Sequence, residues 1–127
     1  MNGGLTDYMK NKIMNLMFRN EPLKSFENIY IGLFDKNPLE NGIEINKSGY
    51  HRVSANFINS NAGEVTNEDD ILFGVSTEAW GEVRFIGVFD KEEEGNLIWY
   101  GEFEFPKVYD ISDQMKIPQG AFTMRIS

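Results

Sequence analysis

The sequence contains no cysteine, which excludes a disulfide framework, a thiolate metal site and a thiol nucleophile, and leaves stability to packing or to partner subunits. It has one histidine, His51. No multi-histidine metal site can form around it, and no G-x-S-x-G element offers it a serine to activate, so it reads as a surface or edge-strand residue. Positive charge is also scarce. Twelve Lys and Arg against twenty Asp and Glu leave a net charge of −8, which argues against sequence-independent nucleic-acid binding, where basic side chains must neutralise phosphates. No apolar run approaches the roughly 18 residues of a membrane span, so no membrane insertion is expected. The amino end, MNGGLTDYMKNKIMNLMF, lacks the continuous apolar core of a signal peptide, so the expectation is synthesis and retention in a cytoplasm unless a larger body carries the chain out. Gly3-Gly4 precedes a helical pattern but follows no strand, and so builds no phosphate cradle.

What is present suffices for one compact body. The 127 residues are 41% hydrophobic and 13% aromatic, which supports a single domain over 1–127 with its own core. No internal repeat or low-complexity segment interrupts it. The spacing predicts an N-terminal helix over 4–18: Leu5, Met9, Ile13, Leu16 and Met17 recur at three- and four-residue steps, with Lys10, Asn11, Lys12 and Asn15 between them. Thr6 or Asp7 is placed to cap its start. Its apolar face is rich in methionine, a flexible residue suited to adaptable contacts, and packs either on its own domain or on a neighbour.

After Pro22 the period changes, and a β domain is predicted over 26–127. Ile29–Phe34 reads as a strand ended by the Asp35-Lys-Asn-Pro38 turn, and residues 50–57 (YHRVSANF) alternate loosely. Residues 59–70 are polar and turn-prone, a surface excursion by expectation, and 71–75 form a short apolar run. Residues 83–89 and 97–105 are strong strands joined by the polar hairpin connection 90–96. In the second of these, Leu97, Trp99, Phe103 and Phe105 fall on one face and Glu102 and Glu104 on the other, one side core and one side wet. Pro106 is expected to close that strand, and 115–117 and 121–126 supply two more around Pro118-Gln-Gly120. Strands joined by turns define the fold class: mainly β, an antiparallel β-sandwich or flattened barrel with one N-terminal helix.

The stretch WGEVRFIGVFD (80–90) has the grammar of scaffold. Trp80-Gly81 turns the chain into a strand with the indole sealing one end of the core. Gly87 admits a bulky neighbour such as Trp99, and Arg84 faces water or an acidic neighbour such as Glu102. The loop Asp90-Lys-Glu-Glu-Glu-Gly95 echoes a calcium loop, but its twelfth position is Gly101 where a bidentate glutamate is required, and a strand precedes it; a solvated acidic hairpin is the reading. Glu68, Asp69 and Asp70 are adjacent, and neighbours on an extended chain point to opposite faces, so they form no acid/base pair. No catalytic, cofactor-binding or metal-binding residue is assigned. Trp80, Trp99, Tyr50, Tyr100 and Tyr109 are the rings that a sugar or a protein surface would use. Trp99 is expected in the core, and Tyr100, alternating with glutamates, is the more exposed candidate.

In order along the chain, IYIGLFDKNP (29–38), SGYHRV (48–53), WGEVRFIGVFD (80–90), GNLIWYG (95–101) and Pro106-Lys107 make a succession that resembles small phage virion proteins of the tail fibre or tail structural type. Gly49, Tyr50 and Arg52 match the "glycine-tyrosine-x-arginine-valine" element. Trp80, Gly81, Gly87, Phe89 and Asp90 match the "tryptophan-glycine" step into "glycine-isoleucine-phenylalanine-aspartate", and Gly95, Asn96 and Leu97 match the "glycine-asparagine-leucine" hairpin. Val88 stands where isoleucine is usual, and Asp110-Ile-Ser-Asp-Gln114 replaces a glycine-aspartate turn. The resemblance covers most of the chain and implies a non-enzymatic structural component of the virion, in the tail, baseplate or tail fibre, with no cofactor. Other virion proteins and further copies of the chain are its implied partners, a trimer being the favoured oligomer by analogy. Met9, Ile13 and Met17 on the helix, with Tyr100 and Glu102 on the wet strand face, are the expected contact residues. Two alternatives stand beside this: a receptor- or carbohydrate-binding module recognising a host-surface glycan at the tail tip, and a capsid decoration or head-fibre protein.

Overall fold

The structure is a computed structural model that describes residues 2–125. In chain order it contains strand β1 (Asn2–Leu5), helix α1 (Asp7–Phe18) and strands β2 (Ile29–Phe34), β3 (Val53–Ala55), β4 (Phe57–Asn61), β5 (Glu64–Asn67), β6 (Ile71–Leu72), β7 (Gly81–Phe89), β8 (Leu97–Tyr109), β9 (Lys116–Ile117) and β10 (Thr123–Arg125). The strand pairings are antiparallel. Five strands form a sheet in the order β1-β8-β7-β2-β3, three form a sheet in the order β10-β5-β4, and β6-β9 make a two-stranded ribbon. The mainly β sandwich with one helix is therefore the fold observed.

Alternation along the strands sets the core. Ile31 and Leu33 of β2 sit opposite Val88 and Ile86 of β7, and all four are buried, each contributing about 1.5–3 kcal/mol by leaving water. The two larger sheets are joined through Phe122, whose ring lies 5.7 Å from Trp99 of β8 and 5.7 Å from Phe57 of β4. Trp80 closes another part of the core, meeting Tyr50 edge-on at 5.7 Å and lying 6.2 Å from Tyr109. Its indole N–H donates to the Ser48 carbonyl at 3.0 Å, so the buried ring leaves no orphan donor. Asn67 is buried with both ends used: its amide nitrogen donates to the Asp69 and Pro118 carbonyls and its oxygen accepts from the Phe122 N–H. That side chain fixes the turn that delivers Phe122 to the core.

Several local expectations are corrected. The helix begins at Asp7, not at residue 4, because the glycines at 3 and 4 disfavour helix and instead pair with Gly101 and Tyr100 of β8. Thr6 is the boundary: its Oγ1 accepts from the Met9 N–H at 3.3 Å and donates to the Leu97 carbonyl at 2.7 Å, while its own N–H donates to the Ile98 carbonyl. The stretch 59–70 is no simple excursion but contains most of the β4–β5 hairpin, whose mixed polar face hides the strand period. Pro106 does not close β8. The pairs Phe85–Glu102 and Val83–Lys107 bracket a bulge in which proline's missing N–H leaves no ladder bond unmade. Phe105 lies inside that bulge and is exposed, not part of the core face as its alternation suggests. Around Gly87, the neighbours that a Cβ would meet at 2.8 Å are Leu97 and Phe34, not Trp99. Arg84 pairs with Glu82 at 3.6 Å on an exposed surface, not with Glu102, which lies opposite Phe85. Ile126, the end of the last expected strand, lies outside the described residues, as does Ser127.

Thr6→Val keeps the shape of the side chain but removes both the cap and the bond to β8. A loss of about 1–2 kcal/mol in urea unfolding is expected, with Ser at the same position retaining most of it.

Candidate functional site

The charged side chains that the fold gathers most tightly belong to the segment 44–52. β2 pairs with β3 only through Ile29, Tyr30 and Ile31, so beyond that point its edge needs other partners. The Leu33 N–H donates to the Tyr50 hydroxyl at 3.0 Å, and the Ile45 N–H donates back to the Leu33 carbonyl at 2.9 Å. The Tyr50 hydroxyl in turn donates to the Glu44 carboxylate. Arg52 completes the set. Its Nε donates to Glu44 Oε2 at 2.9 Å and its Nη2 to Oε1 at 2.8 Å, the paired fork geometry that guanidinium and carboxylate share.

Arg52 also reaches out of the sheet. Its Nη1 donates to the carbonyls of Lys91 at 3.0 Å and Glu94 at 2.7 Å, and its guanidinium lies 3.4 Å from the centroid of the Phe89 ring, a cation–π placement. The side chain is 9% exposed, so this charge is held out of water by hydrogen bonds and ring stacking together. The hairpin that it grips is closed from the other side: Asp90 accepts the Asn96 backbone N–H at 2.7 Å and its side-chain amide at 3.1 Å. Gly95 has φ +72°, the left-handed region that glycine enters without strain. Tyr50, Arg52, Phe89, Asp90, Gly95 and Asn96, scattered through the sequence motifs, thus meet in one tie between β2, β7 and the 90–96 turn. Gly49, Trp80 and Gly81 stand at its flank, where Gly49 and Gly81 turn at φ +88° and +81°.

Glu44 is the member that sequence reading missed. It lies in a polar connection without periodicity, and only the need of a half-buried arginine for an acid hints at it. The Tyr50 phenol is pushed well above its ordinary range, first by burial and then by the Glu44 carboxylate, so it stays a donor throughout the physiological range. The loop expected to be a solvated acidic hairpin does expose Glu92, Glu93 and Glu94, while its Asp90 carboxylate is occupied in capping the turn.

The expected contact residues separate on inspection. Met9, Ile13, Leu16 and Met17 share one stripe of α1 by their three- and four-residue spacing. Met9 is buried in the protein's own core and Ile13 packs against it, whereas Leu16 and Met17 are 46% and 65% exposed. The second half of the apolar stripe therefore faces solvent. Tyr100 and Glu102 are half-buried on the outer face of β8, opposite Gly87 and Phe85. Of the rings available to a glycan, Trp80 and Trp99 are 4% and 3% exposed and belong to the core. His51 is exposed. Among the described residues no group of three metal-ligating side chains is assembled and no buried side-chain polar atom lacks a partner.

A small antiparallel sandwich whose charged cluster is a structural tie, and whose helix offers an apolar stripe to the outside, defines a structural module. The family model of the Podophage GP4 fiber I protein gp80 matches residues 4–125, and the chain belongs to that family. A comparison with curated proteins gave no match. Membership makes this a structural protein of a phage fibre, with the virion as its place of work. No helix among the described residues is long and apolar enough to cross a membrane.

Two measurements test the tie. Arg52→Lys keeps the charge but loses the fork and the stacked plane, and a loss of about 2–4 kcal/mol in chemical unfolding is expected. The raised Tyr50 phenol favours the folded state only while protonated, so stability is full below the unfolded-state value near 10 and falls above it, by up to about 1.4 kcal/mol per pH unit for one tyrosine. Tyr50→Phe should shallow that alkaline slope, leaving the smaller contribution of Tyr109, also raised by burial.

Proposed function

We propose that the protein is a non-enzymatic component of the phage tail fibre or its attachment to the tail, built into the particle through contacts between copies of the chain, with a trimer as the favoured assembly. The observation that carries this reading is the stripe of α1: the same spacing that buries Met9 leaves Leu16 and Met17 in water. Apolar side chains lined up on a helix at that density gain by being covered. A family of fibre proteins supports a role that is fulfilled by contact, not by turnover. Within the proposed interface, Ile13 and Met17 are the contact residues on the helix, and Met9 serves as its root in the domain. Tyr100 and Glu102, on β8 opposite Gly4 and Asn2 of β1, are the contact residues on the sheet.

Light scattering over a concentration series is the direct test. The wild-type chain is expected to associate, and Met17→Glu, at a position that the fold does not bury, should leave circular dichroism unchanged while weakening association by about tenfold or more, the equivalent of about 1.4 kcal/mol. A wild-type chain that stays monomeric at every concentration reached would sink the reading.

A further inference from the structure

An exposed stripe requires a receiving surface, and the fold carries a recess of matching chemistry. An apolar opening of about 280 Å³ lies between the five-stranded and three-stranded sheets, with Phe26 from the segment after the helix also lining it. Leu5, Ile29, Val88 and Trp99 form its wall on one sheet, and Val65 and Met124 form it on the other. Leu5, Ile29 and Met124 are core-packed residues left only partly buried. At its rim Glu64 and Arg125 form an ion pair. A recess walled in this way gives water few hydrogen-bond partners and favours an apolar side chain.

Charge singles out the occupant. Residues 7–19 hold Lys10, Lys12 and Arg19 against Asp7, a net charge of +2, leaving nine basic and nineteen acidic residues in the rest of the chain, a net −10. The stripe is thus carried on a basic segment, and the body that holds the recess is acidic. Within one chain the far end of the stripe does not fill the recess: Thr6 ties the root of the helix to β8 beside Leu5 and Ile98, which line it, while Leu16 and Met17 stay exposed. We propose that the distal stripe of α1, Leu16 and Met17, seats in the inter-sheet recess of a second copy. This inference rests on the reading of self-assembly given above and supplies the other half of the contact. Each copy then donates a helix end and receives one: a reciprocal exchange makes a two-fold dimer, and a head-to-tail one closes into a ring when the rotation allows and otherwise runs on as a filament. Opposite net charges of the two halves favour encounter and make the assembly sensitive to salt.

The absence of cysteine makes the test clean. Met17→Cys is introduced in one preparation and Val65→Cys in another, each checked for native circular dichroism and for association, then mixed and oxidised. The expected result is a disulfide-linked heterodimer in the mixture, formed at least about tenfold faster than a homodimer in either preparation alone and slowed by raised salt. A Met17→Cys homodimer as the dominant product would place helix against helix and overturn the recess as receiver. An oligomer in which the thiol introduced by Val65→Cys stays unlinked would leave the recess to some other occupant and also overturn the inference, while the self-assembly reading survives. A chain that is monomeric throughout would overturn both.

Discussion

A guanidinium withdrawn from water is tolerable only when its donors find partners, and that requirement at Arg52 organises a large part of the molecule. The side chain binds one carboxylate through two parallel bonds, two loop carbonyls and an aromatic face. None of these partners is a neighbour in sequence. Satisfying Arg52 therefore fixes the segment around Glu44 against the edge of β2 and holds the 90–96 turn down beside it, with Phe89 pinned between. Tyr50 extends the constraint by giving the edge of β2 the acceptor that β3 is too short to provide. Removing one partner from such a set leaves the others desolvated and unpaired, which is why a single substitution there reaches further than its own contacts.

The rest of the sandwich is held by apolar burial of a more ordinary kind, yet the two systems meet. Tyr50 presents its hydroxyl to Glu44 and its ring to Phe73 and Trp80, so one residue belongs to both the polar tie and the aromatic core. Trp80 then passes the constraint to Tyr109 at the far end of β8. A module that must keep its shape as part of a particle is served by such cross-links, since local opening at the hairpin would break contacts in the core as well.

Much of this is legible in the sequence where period and chemistry agree. The strands β2, β7 and β8 announce themselves through β-branched and aromatic alternation, and Trp80-Gly81 marks the turn into β7. The stripe of α1 is visible too, but its division into a buried root and a free end is not, because that depends on where the body stops. Gly4 falls inside the expected helix since nothing local shows that a distant strand will pair with it. Pro106 reads as a terminus because the bulge that accommodates it is set by the register of β7, a non-local quantity. Glu44 escapes notice for the same reason: its role exists only once Tyr50 and Arg52 have been folded over it.

The bulge around Pro106 carries a consequence for a structural protein of a phage fibre. Among the described residues β1 pairs with β8 as far as Glu102, and a strand edge left unpaired is a template on which another chain can add. Phe105 at 81% and Val108 at 61% exposure would make that edge adhesive if it were straight. The ladder is broken there, a proline removes one donor, and Lys107 places a charge where an incoming strand would lie. The irregularity makes that edge a poor template for indiscriminate strand addition.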